Sequence, residues 1–360
     1  MSAVAATPSA KELDRVAAEL ASARAPEDIF GADHHRAYST YRRLARAVYP
    51  DLHLADQERA TDVFKCLGAW WALARQRLQQ GIYGTPAPLG EPLTLVAPGR
   101  RAITGGDLWR VGDIADLYRA ADGQMVKIAR DPRDNDLLRH EAEVLRHVAR
   151  AEHADEFRLF VPRLVESFSI RTHGVVLAVN VLSKPPGLYS LQEVLQMRGP
   201  LDPRDMTWIF RRLLKTLAFA HHAGVIHGAV VPAHVLIHPD HGLTLVDWCY
   251  AVPTGEPLRT IPTPYRDLYP DLVFSKRASR PGLDIFMAVQ CMVLLLGGDP
   301  KTGMLPESIN RRLRAFLSSW WRFGADQVQD AAVLLEEYTE LVDSLWRRAF
   351  RPFSMPPRDT

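Results

Sequence analysis

The chain has 360 residues, of which 47% are hydrophobic, and its formal net charge at pH 7 is +2. This length and hydrophobic content allow about two domains, each with a core of its own. The near-neutral charge excludes the strongly basic footprint of a nucleic-acid-binding protein. The sequence has 3 cysteines at scattered positions, which predicts neither a disulfide framework nor a zinc site and favours a reducing cytoplasm.

Residues 1–25 predict an amphipathic helix and no signal peptide. Leu13, Val16 and Leu20 recur at the spacing of one helix face. Charged residues interrupt any apolar run in this segment, and the longest apolar stretch of the chain, residues 285–296, is too short to cross a bilayer. We therefore expect a soluble protein without a membrane partner.

Residues 26–84 carry a basic helix followed by a loop that contains a proline. This stretch resembles the J domain (DnaJ-like) family, in which a basic helix and a His-Pro-Asp loop stimulate a DnaK-type chaperone. The resemblance implies an all-α helical module and a chaperone partner. Tyr49 stands where the family has His, and phenol and imidazole differ in size, charge and donor geometry; the alternative is an ordinary turn. The implied contact residues are Arg42, Arg43, Tyr49, Pro50 and Asp51.

Residues 85–99 are rich in proline and glycine, the composition of a semi-rigid linker. This segment predicts the boundary between two domains. A short hydrophobic run inside it, residues 93–96, predicts an edge strand, so we expect part of the linker to pack rather than swing.

Residues 100–349 contain several motifs in a fixed order. A strand with Lys127 is followed by a helix with Glu141. The loop at residues 227–237 comes next, and Asp247 follows after a predicted hairpin. Helices are also predicted at residues 190–195, where Ser190 and Glu193 form a capping box, and at residues 209–221 and 326–347.

The order and spacing of these motifs resemble the protein kinase family. The resemblance implies an α+β, two-lobed protein-kinase-like fold behind the N-terminal all-α J-domain-like module. It also implies that Asp284 is buried and hydrogen-bonds the backbone of the loop at residues 227–237. The implied parts are a small lobe at residues 100–182, a large lobe at residues 183–349 and a tail at residues 350–360.

The same resemblance gives roles to individual residues. Lys127 and its partner Glu141 are implied to hold ATP, with Glu143 the second choice for the partner. Gly112 is the one glycine left at three expected positions of the phosphate-binding turn. Asp247 is implied to bind both the nucleotide and a magnesium ion.

Two positions differ from the family pattern. Ala229 stands where the catalytic aspartate is expected and cannot accept a proton, a loss that typically costs about a hundred- to ten-thousand-fold in rate. His234 stands at the second metal position, and Mg²⁺ prefers oxygen ligands. The sequence therefore indicates a pseudokinase that binds ATP, with Mg²⁺ as a further cofactor, and acts as a regulatory or scaffolding module on an unknown protein partner.

Two other functions are compatible with the sequence. In the first, Lys127 and Asp247 hold the nucleotide in another pose, and the protein is an active atypical kinase or nucleotidyl transferase. In the second, both domains are nucleotide-free interaction surfaces, including a co-chaperone of a DnaK-type protein. The loss of two turn glycines favours the second alternative, because side chains there keep phosphates away from the backbone.

Overall fold

The structure, a computed structural model, describes residues 10–23, 26–31, 33–79, 83, 94–95, 103–120, 123–172, 175–347 and 349–355. The chain divides into two compact units, Met1–Glu91 and Pro92–Thr360. The first unit is helical and the second contains a sheet and helices, so the architecture is mixed α+β. Most of the predicted linker, residues 85–99, lies outside the described residues.

The first unit places its described helices around one apolar core. These helices are α1 (Ala10–Ser22), α2 (Pro26–Phe30), α3 (His34–Ala47) and α4 (Gln57–Gln79). Leu13, Val16 and Leu20 of α1 are buried in this core together with Leu44 and Leu67. The predicted amphipathic helix is confirmed, and its apolar face packs on the helices of its own unit.

The second unit opens with a six-stranded antiparallel sheet. Its strands are β1 (Thr94–Leu95), β2 (Ile103–Val111), β3 (Ala115–Ala120), β4 (Gln124–Ala129), β5 (Arg163–Thr172) and β6 (Val175–Ser183), in the spatial order β1-β2-β3-β4-β6-β5. The short strand predicted inside the linker is β1, and it lies at an edge of the sheet. Lys127 of β4 lies opposite Asn180 of β6 in this register.

Helix α5 (Asn135–Val148) lies against β6 and is attached to it by two buried amides. The side chain of Asn135 accepts a hydrogen bond from the Ala178 N–H at 2.6 Å and donates one to the Val176 carbonyl at 2.8 Å. The amide of Asn180 donates to the Leu138 carbonyl at 2.8 Å. These bonds satisfy buried polar groups on both elements and fix the position of α5 along the sheet.

The rest of the second unit is mainly helical. Its helices are α6 (Leu191–Arg198), α7 (Pro203–His222), α8 (Asp271–Phe274), α9 (Pro281–Leu295), α10 (Arg311–Phe323) and α11 (Ala331–Leu345). Its short strands are β7 (Tyr189–Ser190), β8 (Val225–Ile226), β9 (Val235–Ile237), β10 (Leu243–Leu245) and β11 (Val252–Pro253), which form a three-stranded and a two-stranded sheet.

Helix α9 is the centre of this helical part, since all of its residues except Leu294 are buried. A helix that is apolar on every face is typical of a core position. No helix in the described part of the chain is both long and apolar enough to span a bilayer.

The helix predicted at residues 326–347 begins later than expected. The side chain of Asp330 accepts a hydrogen bond from the Ala332 N–H, so α11 begins at Ala331. Residues 324–326 form a separate 3₁₀ turn. The Asp330 side chain is an N-terminal cap, because it accepts a hydrogen bond from a backbone N–H that has no acceptor within the helix. This cap, and not the apolar periodicity, sets the start of the helix.

The capping box predicted at the start of α6 is confirmed. The Ser190 hydroxyl accepts from the Glu193 N–H at 3.2 Å, and the Glu193 carboxylate accepts from the Ser190 N–H at 2.6 Å.

Replacing Ser190 with alanine is expected to lower the free energy of unfolding by about 1 kcal/mol. Urea-induced unfolding measures this loss. The exposed Ser344→Ala substitution is the control, and an equal loss in both variants would contradict the prediction.

Candidate functional site

A cavity of about 390 Å³ lies between the six-stranded sheet and the β9–β10 hairpin of the second unit. Its walls bring together side chains that are far apart in the sequence. Several of the predicted site residues line it: Gly112, Lys127, Glu141, His234 and Asp247. We therefore take this cavity as the candidate functional site.

Lys127 is the central charge of the cavity. Its ammonium donates to the Glu141 carboxylate at 2.9 Å and forms a short contact with the Asp247 carboxylate. Lys127 is 2% exposed and Glu141 1% exposed, so neither charge is compensated by water. Burial by itself would lower the pKa of Lys127, but Asp247 and Glu141 outweigh burial and hold that pKa well above its ordinary value. The Lys127 ammonium is therefore charged in the folded protein.

Asp247 is the second carboxylate of this cluster. Burial would raise the pKa of Asp247, whereas Lys127 and His234 outweigh burial and lower it. Its backbone has a φ of 65°, in the left-handed region, which an aspartate tolerates better than most residues. This conformation begins the short 3₁₀ turn Trp248–Tyr250.

Glu141, and not Glu143, is the partner of Lys127, because the Glu143 side chain is exposed on the other face of α5. The second oxygen of Glu141 accepts a hydrogen bond from the Asn180 amide at 3.0 Å. Asn180 is fully buried and was missed from the sequence. An amide in the middle of the apolar run of β6 was the available signal, since such a group requires a buried partner.

His234 connects the loop at residues 227–237 to Asp247. Its Nδ1 lies 2.9 Å from the Ala229 carbonyl, and its Nε2 lies 3.1 Å from the second oxygen of Asp247. A carbonyl only accepts hydrogen bonds, so Nδ1 carries a proton. Mg²⁺ prefers oxygen ligands, and the pair offers one nitrogen and one oxygen. These residues do not fit the magnesium site that the kinase resemblance implies.

Glu141, Asp247 and Cys249 are side chains of types that can bind metal ions, and their ligand atoms lie within 4.8 Å of one another. The ammonium of Lys127 is hydrogen-bonded to both carboxylates of this group. Burial raises the pKa of the Cys249 thiol well above its ordinary value, so the thiol stays protonated. The positive charge beside these carboxylates is therefore the Lys127 ammonium.

Ala229 is fully buried beneath neighbouring side chains. It packs with Cys249 and Tyr250, and Ile114 from the turn between β2 and β3 covers the same cluster. The side chain at this position thus has no proton acceptor, and its methyl group is 0% exposed.

The backbone next to Ala229 is held by Asp284, as predicted. The Asp284 carboxylate accepts from the N–H groups of His227 and Gly228, each at 2.8 Å, and lies 3.1 Å from Nε2 of His221. The Tyr269 hydroxyl donates to the Gly228 carbonyl at 2.8 Å. Asp284 is 0% exposed, so these bonds replace all of its hydration.

Gly112 lies in the turn between β2 and β3, but its N–H does not face the cavity as a free donor. It donates to the Ala115 carbonyl at 3.0 Å, and the Ile114 N–H donates to the Asp113 side chain at 3.0 Å. The Tyr250 hydroxyl donates to the other oxygen of Asp113 at 3.1 Å. The turn is therefore closed on itself and attached to Tyr250.

Two further contacts join side chains that line the cavity. Arg110 of β2 forms an ion pair with Glu193 of α6 at 3.3 Å. The Tyr265 hydroxyl donates to the Gln192 side chain at 2.8 Å. The sequence did not predict either contact, because the partners come from separate motifs that only the fold brings together.

No protein-family model matches the chain. Over 59 residues it is 39% identical to the serine/threonine-protein kinase PknL of Mycobacterium tuberculosis and to that of Mycobacterium bovis. The matched stretch covers 16% of this chain and 15% of the length of those kinases. The chain is thus similar to a serine/threonine kinase over a limited stretch.

The predicted partner-binding residues lie in the first unit. Arg42 and Arg43 are exposed on α3. Tyr49 is 46% exposed and packs edge-on against Phe64, with ring centroids 5.6 Å apart. Pro50 begins a 3₁₀ turn that also contains the exposed Asp51.

His227 makes the stability of the second unit depend on pH. Burial lowers the pKa of His227 to about 4, and its ring donates to the Val246 carbonyl while accepting from the Ala229 N–H. In the unfolded chain this histidine takes up a proton near pH 6.5. The unfolded state therefore binds more protons between about pH 6.5 and 4, and stability falls as the pH is lowered through that interval.

We expect His227 to account for about 3 kcal/mol of this loss between the two pH values. Urea-induced unfolding at a series of pH values measures it. The slope of stability against pH should be shallower in His227→Gln and unchanged in the exposed control His222→Gln. Equal slopes in the native chain and His227→Gln would refute the prediction.

Proposed function

We propose that the second unit is a protein-kinase-like, ATP-binding domain with impaired phosphoryl transfer, which serves as a regulatory or scaffolding module. The observation that carries this proposal is the Lys127–Glu141–Asp247 cluster in a single cavity, in which Lys127 and Glu141 are buried. The order of the sequence motifs and the partial similarity to a serine/threonine kinase support it.

The cavity has the properties of a small-molecule site. Its volume of about 390 Å³ lies within the usual range of about 300–1,000 Å³ for ligand pockets. Leu117, Met125 and Leu236 give it apolar walls for a flat ring. At its polar end, the Lys127 ammonium is the group that would meet the phosphates.

The surroundings of Ala229 support the loss of phosphoryl transfer. A methyl group cannot take the proton of an attacking hydroxyl, and the loss of a positioned base costs about a hundred- to ten-thousand-fold in rate. Ala229 is also fully buried and packs with Tyr250. Nucleotide binding depends on other residues, so it can persist without transfer.

A second candidate, a nucleotide-free scaffold, is favoured by the closed turn between β2 and β3. The N–H groups of Gly112 and Ile114 are used inside the turn, and the Asp113 carboxylate would repel phosphate groups. The Arg110–Glu193 ion pair also holds the turn against α6. In this case the cavity would have no role in ligand binding.

For the first unit, we propose a J-domain-like role in contacting a DnaK-type chaperone. The exposed arginines of α3, Arg42 and Arg43, give the basic surface that an acidic partner would meet. Stimulation of the ATPase of such a chaperone by the full chain tests this role. The stimulation should be lost in the double variant Arg42→Ala, Arg43→Ala and kept in Arg75→Ala, an exposed control on α4; its absence in the native chain would refute the role.

A thermal-shift titration with ATP, with and without Mg²⁺, tests nucleotide binding, because a ligand that binds only the folded state stabilises it by mass action. We expect a saturable rise in melting temperature. Leu117→Trp should fill the cavity and abolish the rise, whereas Leu108→Trp, at an exposed position of β2, should preserve it. No rise at millimolar ATP in the native chain would refute binding and leave the scaffold.

Mass spectrometry of the chain after incubation with ATP tests the transferase alternative. A phosphorylated or adenylylated product, absent in Asp247→Asn, would show that transfer persists despite Ala229. We expect no such product, because the cavity has no proton acceptor at that position.

A further inference from the structure

A second cavity, of about 590 Å³, shares no lining residue with the cavity of the candidate site. Helix α7 forms one wall, because Arg204, Trp208 and Arg211 are spaced by four and three residues and so lie on one helix face. The end of α11, the turn between β9 and β10, and the segment after α11 contribute the rest of the lining. This volume lies within the range of about 300–1,000 Å³ that is usual for small-molecule sites.

Two arginines of the second cavity are fixed by ion pairs that join separate segments. Arg211 of α7 donates to Asp343 of α11 at 2.7 Å, and Arg351 donates to Asp205 of α7 at 2.8 Å. Both arginine side chains are largely buried, with 26% and 35% of their area exposed. Nη1 of either guanidinium has no acceptor among the described residues. These oriented groups therefore keep N–H donors for an anion.

The other two arginines of the second cavity differ in their surroundings. Arg204 pairs with Asp202 through two bonds, at 2.7 and 3.0 Å. Arg347 is exposed and has no acceptor in the described part of the chain. Three carboxylates, those of Asp202, Asp205 and Asp343, balance the four guanidinium groups only in part, so these groups keep one net positive charge. A ligand with one negative charge would balance it.

The apolar wall of the second cavity is a column of stacked rings. His241 stacks on Trp208 with ring centroids 4.3 Å apart and on Phe350 with ring centroids 4.7 Å apart. Nε2 of His241 donates to the Arg351 carbonyl at 2.9 Å, which holds the imidazole between the two other rings. Phe350 is 73% exposed, so most of its ring is open to contact. A flat aromatic ligand stacks favourably on such a surface.

We propose that the second cavity binds a small aromatic carboxylate. Guanidinium groups bind both carboxylates and phosphates through paired N–H···O bonds, but the single excess positive charge favours a monoanion over a phosphate dianion. The stacked rings and the volume favour an aromatic body over a bare anion. Binding here does not depend on the proposed ATP-binding function, because the two cavities share no lining residue.

Calorimetric titration of the full chain with 2-naphthoate at pH 8 tests this site. We expect one molecule to bind with a dissociation constant of about 1 mM or below, as is usual for a ligand of this size. The neutral isostere 2-naphthamide should bind at least about ten-fold more weakly, because it forms no charge-assisted hydrogen bonds. The dianion 2-naphthyl phosphate should not bind more tightly than 2-naphthoate.

Three results of these titrations would overturn the proposal. The first is the absence of saturable binding of 2-naphthoate. The second is equal affinity for 2-naphthoate and 2-naphthamide, which would show that the arginines do not contact the ligand. The third is tighter binding of 2-naphthyl phosphate, which would assign the cavity to phosphate groups.

Arg347→Glu should weaken the binding of 2-naphthoate by at least about ten-fold, and circular dichroism checks that the variant is folded. The matched control is Arg146→Glu, which reverses an exposed charge on α5 outside the second cavity. Phe350→Ala and Phe323→Ala form a second pair, because both rings are exposed and Phe323 does not line this cavity. Only Arg347→Glu and Phe350→Ala should lose affinity, and unchanged binding in both would contradict the assignment.

Leu117→Trp separates the two cavities, because Leu117 lines the cavity of the candidate site and not the second one. We expect 2-naphthoate to bind this variant with the affinity of the native chain. Loss of binding in Leu117→Trp would place the ligand in the candidate site and overturn the proposal. Binding of 2-naphthoate without any ATP-dependent thermal shift would refute nucleotide binding alone and leave the second cavity as a ligand site.

Discussion

Replacing Lys127 with methionine is expected to lower the free energy of unfolding of the second unit by about 3–5 kcal/mol. Methionine has a similar length but no charge, so the buried carboxylate of Glu141 and the half-buried carboxylate of Asp247 would lie close together without a cation. Removing one partner of a buried ionic group is costly because the remaining charge stays buried. Urea-induced unfolding, followed by tryptophan fluorescence, measures the loss.

The control breaks an ion pair on the surface of α5, the helix that carries Glu141. Arg139 and Asp136 of α5 form a pair whose side chains are 50% and 90% exposed, so Arg139→Ala should cost less than about 1 kcal/mol. Adding Asp247→Asn to Lys127→Met should restore part of the lost stability, since it removes an uncompensated charge. A loss below 1 kcal/mol for Lys127→Met would contradict the ionic description of the cluster.

Replacing Asp284 with alanine is expected to lower the free energy of unfolding of the second unit by a similar amount, about 3–5 kcal/mol. The substitution removes the acceptor of two buried backbone N–H groups, those of His227 and Gly228, and the partner of the His221 ring. Each buried donor left without an acceptor costs about 1–3 kcal/mol. Hydrogen exchange at the two backbone amides should accelerate in parallel with the loss of stability.

Asp267→Ala is the matched control for Asp284, because Asp267 is an exposed carboxylate that pairs with Lys301 at the surface. Its loss should stay below about 1 kcal/mol. The loss of stability in Asp284→Asn should lie between the losses in Asp284→Ala and Asp267→Ala, because the amide keeps one acceptor oxygen. Slow exchange at the amides of His227 and Gly228 in Asp284→Ala would show that other groups hold this backbone.

Local patterns in the sequence predicted much of the secondary structure. The periodicity of Leu13, Val16 and Leu20 predicted α1 and its buried face, and the Ser190–Glu193 capping box marked the start of α6. Such signals lie within one helix turn or strand, so they survive any tertiary arrangement. The start of α11 was missed because apolar periodicity continues past a cap.

The candidate site was predictable only in part. The resemblance in motif order indicated Lys127, Glu141 and Asp247, whereas no local pattern joins residues that are 120 positions apart. Asn180 and the Asp113–Tyr250 hydrogen bond depend on strand register and on the position of a turn. These are long-range properties of the packed chain, and a single sequence carries little information about them.

The closed turn between β2 and β3 has a consequence for rates. The Arg110–Glu193 ion pair and the Asp113–Tyr250 hydrogen bond hold the turn at both of its sides. A ligand that displaces this turn must wait for these two contacts to open. Its observed association rate would then rise with ligand concentration and level off at the opening rate of the turn, as expected for binding that follows a conformational step.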